Sequence, residues 1–359
     1  MLQMPVDDAI DPHIHLFDLK GTPREMQPLG KLFGWNERVL RFMATKLMPS
    51  DAIDFFGKNT DLLGDYLPPD FRSDSASSNV GRYVHIQAGW KDDKPLDPVG
   101  ETAWLEAMDD GPAAIVAHAD LGLGADVARV LAAHKATSAK VRGIRHMISN
   151  HPSTSVMDFC HDPDLSRSSE FRDGFDQLAE HDLSFDAWCY GHQLDQIREL
   201  AIHNPSVPIV LCHVGTPVAM MGEFGGLGVS AQERARTADQ WRESISSLAE
   251  HHHVSCKLSG LLMPVLGLWY EDASGSPSVA QLIDTLTPII EHCVDAFGPA
   301  RCMVASNFPV DRVSASYAAM TEAMVEMTAR YGQDAQQAMF ADTAARFYRI
   351  EEFYRIEKF

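Results

Sequence analysis

Eight short apolar runs, separated by segments of helical period, constrain this 359-residue chain more than any other feature. The runs are Pro12–Phe17, Tyr83–Gly89, Ala114–His118, Val141–Ile148, Leu183–Tyr190, Pro208–Val214, Val254–Leu258 and Cys302–Ala305. They are rich in β-branched residues, as buried strands are. Between them, Ala125–Lys135, Phe171–Glu180, Leu194–Ile202, Arg234–Glu250, Val279–Phe297 and Ser314–Tyr331 carry apolar residues at helical spacing. Asp97-Pro98 and Ser276-Pro277 read as helix starts, and Gly298-Pro299 as a helix end. Strand and helix alternating eight times predicts a (β/α)8 barrel over residues 1–359. An open doubly wound sheet is the alternative. It would place a glycine-rich phosphate turn after the first strand, where this chain has histidines instead.

One connection is too long for a barrel loop. Residues 18–82 separate the first two strands and include a predicted helix, Trp35–Phe56, and a turn at Tyr66-Leu67-Pro68-Pro69-Asp70. The segment leaves the C-terminal end of the first strand, the catalytic face of such a barrel, so a lid insertion is expected. Phe33, Trp35 and Tyr66 are candidates for its apolar contacts with the pocket. A second insertion, 262–277, carries Trp269 and Tyr270. A purely covering or oligomer-forming role for both insertions stays open.

The formal net charge of −20 argues against nucleic acid and anionic membrane surfaces as partners. A small anionic substrate remains compatible, because a pocket can be locally basic. The six cysteines form no Cys-x-x-Cys pair and read as reduced, buried side chains. Neither a signal-like segment nor an apolar run of about 18 residues is evident, so a soluble, cytoplasmic protein is expected. Homodimerisation is left open.

Polar residues recur at the ends of the predicted strands. His13 and His15 lie two apart on the first, which puts them on one face. His85 and Gln87 follow on the second, His118 and Asp120 on the third, and Arg145 and His146 on the fourth. The fifth ends in Trp188-Cys189-Tyr190 and the sixth in Cys212-His213. Lys257 and Ser259 come from the seventh, Asn307 and Asp311 from the eighth. Any one buried histidine is ordinarily structural. Eight polar strand ends on one barrel rim form a candidate site.

In their order, Asp11-Pro12-His13-Ile14-His15, Val84-His85-Ile86-Gln87-Ala88, Gly143-Ile144-Arg145-His146, Leu211-Cys212-His213-Val214-Gly215, Lys257-Leu258-Ser259-Gly260-Leu261 and Ala305-Ser306-Asn307-Phe308-Pro309-Val310-Asp311 resemble the amidohydrolase superfamily. The chain is most similar to its amidohydrolase-related branch, which includes sugar-acid lactonases and 2-pyrone-4,6-dicarboxylate lactonase. The resemblance implies a TIM-barrel hydrolase, with His13, His15, His213 and Asn307 in the catalytic group. It implies either no cofactor or one divalent metal, zinc, on His13, His15 and His213. Asn307 stands where many relatives carry a catalytic aspartate. An amide has no basic oxygen to take a proton, so His213 becomes the candidate base. Arg145, Gln87, Lys257 and Tyr190 are candidate substrate-binding residues. The expected reaction is hydrolysis of a lactone or similarly activated ester of a small, carboxylate-bearing molecule. A metal-dependent amide hydrolase or decarboxylase, and a ligand-binding homologue without catalysis, are the alternatives.

Overall fold

The computed structural model describes residues 6–350 except 25–26, 34, 48–51, 53, 56–61, 63, 92 and 271–275. Eight parallel strands, each beside its sequence neighbour, form one sheet among the described residues: β1 (Ala9–Ile14), β2 (Val80–Ile86), β3 (Ala114–Ala117), β4 (Val141–Ile144), β5 (Ser184–Ala187), β6 (Ile209–Leu211), β7 (Val254–Leu258) and β8 (Cys302–Val304). The sheet closes just above β8. Asn307 N donates to His13 O at 2.9 Å, His15 N donates to Phe308 O at 2.9 Å, and Ile14 bridges Phe308 in parallel. The result is a TIM-like α/β barrel.

The helices in chain order are α1 (Gln27–Phe33), α2 (Glu37–Leu47), α3 (Pro68–Asp74), α4 (Val99–Glu106), α5 (Ala128–Thr137), α6 (Ser169–Glu180), α7 (Leu194–His203), α8 (Ala231–Ala249), α9 (Val279–Phe297), α10 (Tyr317–Thr328), α11 (Gln333–Gln337) and α12 (Thr343–Phe347). Several starts are set by serine caps. Ser230 caps α8 and pairs reciprocally with Glu233; Ser278 does the same for α9 with Gln281. The predicted Ser276 cap is therefore two residues early. Asp97 caps nothing: its carboxylate accepts from Lys94 N.

The long insertion differs from the predicted single helix. Trp35 sits in the turn between α1 and α2 and is 75% exposed. Of the span predicted beyond Leu47, residues 48–51, 53 and 56 lie outside the described residues. The Tyr66–Asp70 turn runs into α3, with prolines in its first turn, where a missing N–H costs nothing. Tyr66 is buried and donates to Asp74 at 3.0 Å, so it belongs to the core and not to a pocket wall. The insertion is rooted by Arg24, which bonds the Ala88 carbonyl and pairs with buried Glu101 at 3.3 Å. The described part of the second insertion folds back. Trp269 stacks on Phe224 with centroids 5.4 Å apart and donates to Glu223 O, and Tyr270 donates to Thr285.

Two apolar layers result. The larger lies between the strands and the surrounding helices. The smaller fills the lower barrel with Ile10, Val84, Ile86, Ala114, Val116, Val210 and Met303, and is sealed by Ala344, Ala345 and Tyr348. Arg346 reaches the Ala300 carbonyl and Arg349 the Asp182 carbonyl. Both carbonyls precede a strand, so α12 plugs the N-terminal end of the barrel. No helix among the described residues is long and apolar enough to cross a membrane.

Candidate active site

Three histidines meet at the opposite, C-terminal end. The His13 ring centroid lies 4.9 Å from that of His15 and 4.4 Å from that of His213. His13 Nε2 is 3.2 Å from His15 Nε2, and His15 Nδ1 is 2.9 Å from the Ile86 carbonyl. A carbonyl only accepts, so His15 carries its proton on Nδ1 and presents a lone pair at Nε2. Asp11 anchors this strand. Its Oδ1 accepts from His13 N and Ser306 N, and its Oδ2 from Tyr317. Burial raises the Asp11 carboxyl, and its hydrogen bonds from Ser306 partly offset that.

His213 is held by unusual backbone. His213, Val214 and Thr216 have φ of 55°, 48° and 39°, a region L-residues avoid and β-branched residues most of all. Such conformations persist only when surroundings over-determine them, and they cluster at functional sites. Here the surroundings are Ser259 Oγ, 2.9 Å from His213 Nδ1, and Gly260, whose missing side chain leaves room for the ring. In the tautomer whose Nδ1–H donates to Ser259, Nε2 keeps a free lone pair. Burial first, then the Arg145 charge, holds His213 well below the usual histidine range; burial and nearby cations do the same to His13 and His15. All three are neutral near pH 7.

Arg145 brings a cation beside these histidines. It is 5% exposed, donates through Nη2 to the Gln87 carbonyl at 2.6 Å, and lies 5.9 Å from the Trp188 ring, which itself packs on His213. Its Nε is buried without a partner, and no carboxylate pairs with it among the described residues. Gln87 thus meets Arg145 through its main chain, while its side-chain oxygen accepts from Gly89 N. His85 lies 3.8 Å from Glu101 of α4, away from the cavity, and His146 accepts from Leu121 N.

Asn307 follows β8 and is tied to β1 by its main chain, N donating to His13 O at 2.9 Å. Its Nδ2 donates to Asp311 at 2.9 Å, and its Oδ1 is buried without a partner. Asp311 is buried, accepts from Leu262 N, and is pushed by burial up to about 7.

Two expectations are corrected. Lys257 was placed on the substrate, but its ammonium is fully buried, 2.6 Å from Asp186 and 3.3 Å from His13 Nδ1. Asp186 already supplies its counterion, so the ammonium is committed to the barrel interior and not to a substrate carboxylate. Tyr190 spends its hydroxyl on the Met157 carbonyl of the β4 loop. Residues missed from sequence are Asp186 and Tyr348. An acid inside the apolar run Leu183–Tyr190 was a legible signal; nothing in the sequence connected Tyr348 to it.

The donor set was also tested for zinc. Two nitrogens on one tetrahedral zinc at about 2.0–2.1 Å stand roughly 3.3 Å apart, close to the His13–His15 spacing. The second shell disagrees. A ligating histidine donates its other N–H to an acceptor, whereas His13 Nδ1 faces an ammonium. No three His, Cys, Asp or Glu side chains gather as a ligand group among the described residues. This arrangement does not fit a three-ligand zinc site.

The Amidohydrolase family profile matches residues 10–350. An uncharacterised protein of Sinorhizobium fredii, y4mH, is 33% identical over 344 residues, 95% of this chain and 98% of that one. An L-fucono-1,5-lactonase of Burkholderia multivorans is 30% identical over 298 residues, covering 81% of this chain and 88% of the relative. Among solved structures, an amidohydrolase of Burkholderia multivorans with bound zinc superimposes with a TM-score of 0.69 at 23% identity, over 95% of this chain and 99% of that one.

Proposed function

Given that the chain belongs to the amidohydrolase family, we propose that it hydrolyses a lactone of a small, carboxylate-bearing molecule. The observation that carries this reading is Arg145, a buried guanidinium with no carboxylate partner among the described residues, beside three neutral histidines. A buried cation without a counterion is costly, and a ligand carboxylate or oxyanion supplies one. The relatives named as L-fucono-1,5-lactonases support the ester class.

In this reading the buried Asn307 Oδ1 accepts a hydrogen from the attacking water. His213 Nε2 takes a proton as the water oxygen bonds the lactone carbonyl carbon. His13 faces the resulting oxyanion. The ring C–O bond then breaks, and His213 returns the proton to the leaving alkoxide. A base held below the usual histidine range is weak, and a lactone is electrophilic enough to react with it. The products are an alcohol and a carboxylic acid, which releases its proton to solvent to become the carboxylate. No step is assigned to a metal, since His13 Nδ1 faces an ammonium where a ligating histidine needs an acceptor.

A pH-indicator screen of neutral sugar lactones and carboxylated lactones, before and after chelation, tests this. Turnover of a carboxylated lactone that survives chelation is expected. Turnover of amides alone would overturn the lactone assignment, and turnover only of uncharged lactones would overturn the role given to Arg145.

A further inference from the structure

A line of polar side chains runs up the barrel axis through an otherwise apolar interior. It starts at Tyr348 in the N-terminal plug, whose hydroxyl donates to Asp186 Oδ2 at 2.8 Å. Lys257 Nζ donates to the same oxygen at 2.6 Å and lies 5.2 Å from the Tyr348 ring. Above it, Lys257 Nζ is 3.3 Å from His13 Nδ1, and His13 Nε2 is 3.2 Å from His15 Nε2. The line ends where His15 Nδ1 meets the Ile86 carbonyl. The Tyr348, Asp186, Lys257 and His13 side chains are completely buried.

We propose that Lys257, held by Asp186 and Tyr348, is a positioning residue that fixes His13 in the Nε2–H tautomer and thereby makes it a hydrogen-bond donor and not a metal ligand. The directions follow from the chemistry of each group. Asp186 Oδ2 accepts from both Lys257 Nζ and the Tyr348 hydroxyl, an arrangement that favours the carboxylate and, with it, the Lys257 ammonium. An ammonium has donors only, so His13 Nδ1 must accept. A neutral imidazole carries one proton, which places it on His13 Nε2. The partner there, His15 Nε2, is already the acceptor nitrogen because His15 Nδ1 is committed to a carbonyl. Every link then has one donor and one acceptor. The opposite tautomer of His13 would set an N–H against an ammonium and two bare lone pairs against each other.

The consequence for chemistry is directional. When a substrate carbonyl displaces His15 as acceptor, His13 offers it an N–H from a site preorganised from below, with no rearrangement in the reaction itself. That use rests on the lactonase reading, whereas the tautomer does not. The same proton blocks the lone pair that a metal would need. This accounts for a histidine pair with the spacing of a zinc site but the wrong neighbour behind it.

The test is nitrogen NMR on the full chain labelled with 15N-histidine, His13 being assigned by its absence in His13→Gln. The wild type is expected to show His13 with a protonated Nε2 and a bare Nδ1. Asp186→Asn combined with Lys257→Met keeps the barrel interior neutral, so this double variant avoids the unpaired buried charge that Lys257→Met alone would leave. With the ammonium gone, the Nδ1–H form of His13, absent from the wild type, should become populated, and zinc affinity in equilibrium dialysis should rise about 10- to 100-fold, the usual scale for changing the group behind a ligating histidine. Adding His13→Gln should cancel that gain. Tyr348→Phe, which keeps both charges, should leave the wild-type tautomer in place. A wild-type His13 protonated on Nδ1 would overturn the proposal, as would zinc affinity in the double variant equal to wild type. Loss of lactone turnover with the wild-type tautomer intact would count against the lactonase reading alone.

Discussion

Gly260→Ala isolates the placement of His213 from the stability of the barrel. An added Cβ at residue 260 would lie 2.5 Å from both Cγ and Nδ1 of His213, where ordinary contact begins near 3.4 Å. The ring must therefore retreat by about 1 Å, the scale at which misplacing a reacting group costs about 10²-fold in rate. The ring cannot retreat freely, because Ser259 holds Nδ1 and the backbone at 213–216 is already in the left-handed region. The substitution also strains residue 260 itself, whose φ is +64°, by about 1–2 kcal/mol. Gly298→Ala is the control. Its φ is +79°, nothing lies within 4 Å of an added Cβ, and it follows α9 far from the histidines. Both variants should lose a few degrees of thermal midpoint, and only Gly260→Ala should lose about 10²-fold in kcat/KM on the lactone found by screening. Equal, near wild-type turnover by both would refute the claim that His213 works from this position.

Three further outcomes are expected. Arg145→Met should lower kcat/KM for a carboxylated lactone by about 10- to 150-fold, the value of about 1.5–3 kcal/mol for hydrogen bonds to a charged group, and lower it much less for a neutral one; equal losses would show that Arg145 does not read a carboxylate. His213→Ala should cost a factor of order 10² or more in kcat, and Asn307→Ala less, measured as initial rates on one substrate; the reverse order would move the base to strand eight. Glu101→Gln should destabilise the protein by roughly 3 kcal/mol at pH 7 in denaturant titrations. Burial raises that carboxyl, but His85 and Arg24 more than offset it and bring it down to about 2. A folded value below the unfolded one contributes stability above about pH 4.5, lost as pH falls through about 2. The gap between variant and wild type should therefore close over that window, and a constant gap would contradict the assignment.

How much of this protein can be read from its sequence depends on the range of each interaction. The eight strand runs and most outer helices were legible because burial on alternating or helical faces is a local pattern: β7 alternates Ser255 and Lys257 with Val254, Cys256 and Leu258. The approach of His13, His15 and His213 at one end was legible too, because a parallel barrel brings the same end of every strand to one rim. The insertion was legible by length and not by shape. Trp35 points outward and Tyr66 inward, since the packing of a long connection is set by what lies beneath it and not by its own period.

Tertiary structure alone decided the chemistry of the buried charges. Sequence treats Lys257 and Arg145 as two strand-borne cations of equal claim on a substrate. The fold gives Lys257 a counterion, Asp186, two strands away, and leaves Arg145 without one among the described residues. Asp311 reads as a carboxylate four residues past the site, yet a turn folds it back onto Asn307. Tyr348, near the C-terminal end of the described chain, completes a line that ends at His13 near the N-terminus, 335 positions away. The physical reason is the same in each case. Periodicity reports which face of an element is buried, whereas the proton and charge states of buried groups depend on partners that only closure of the barrel brings within about 3 Å.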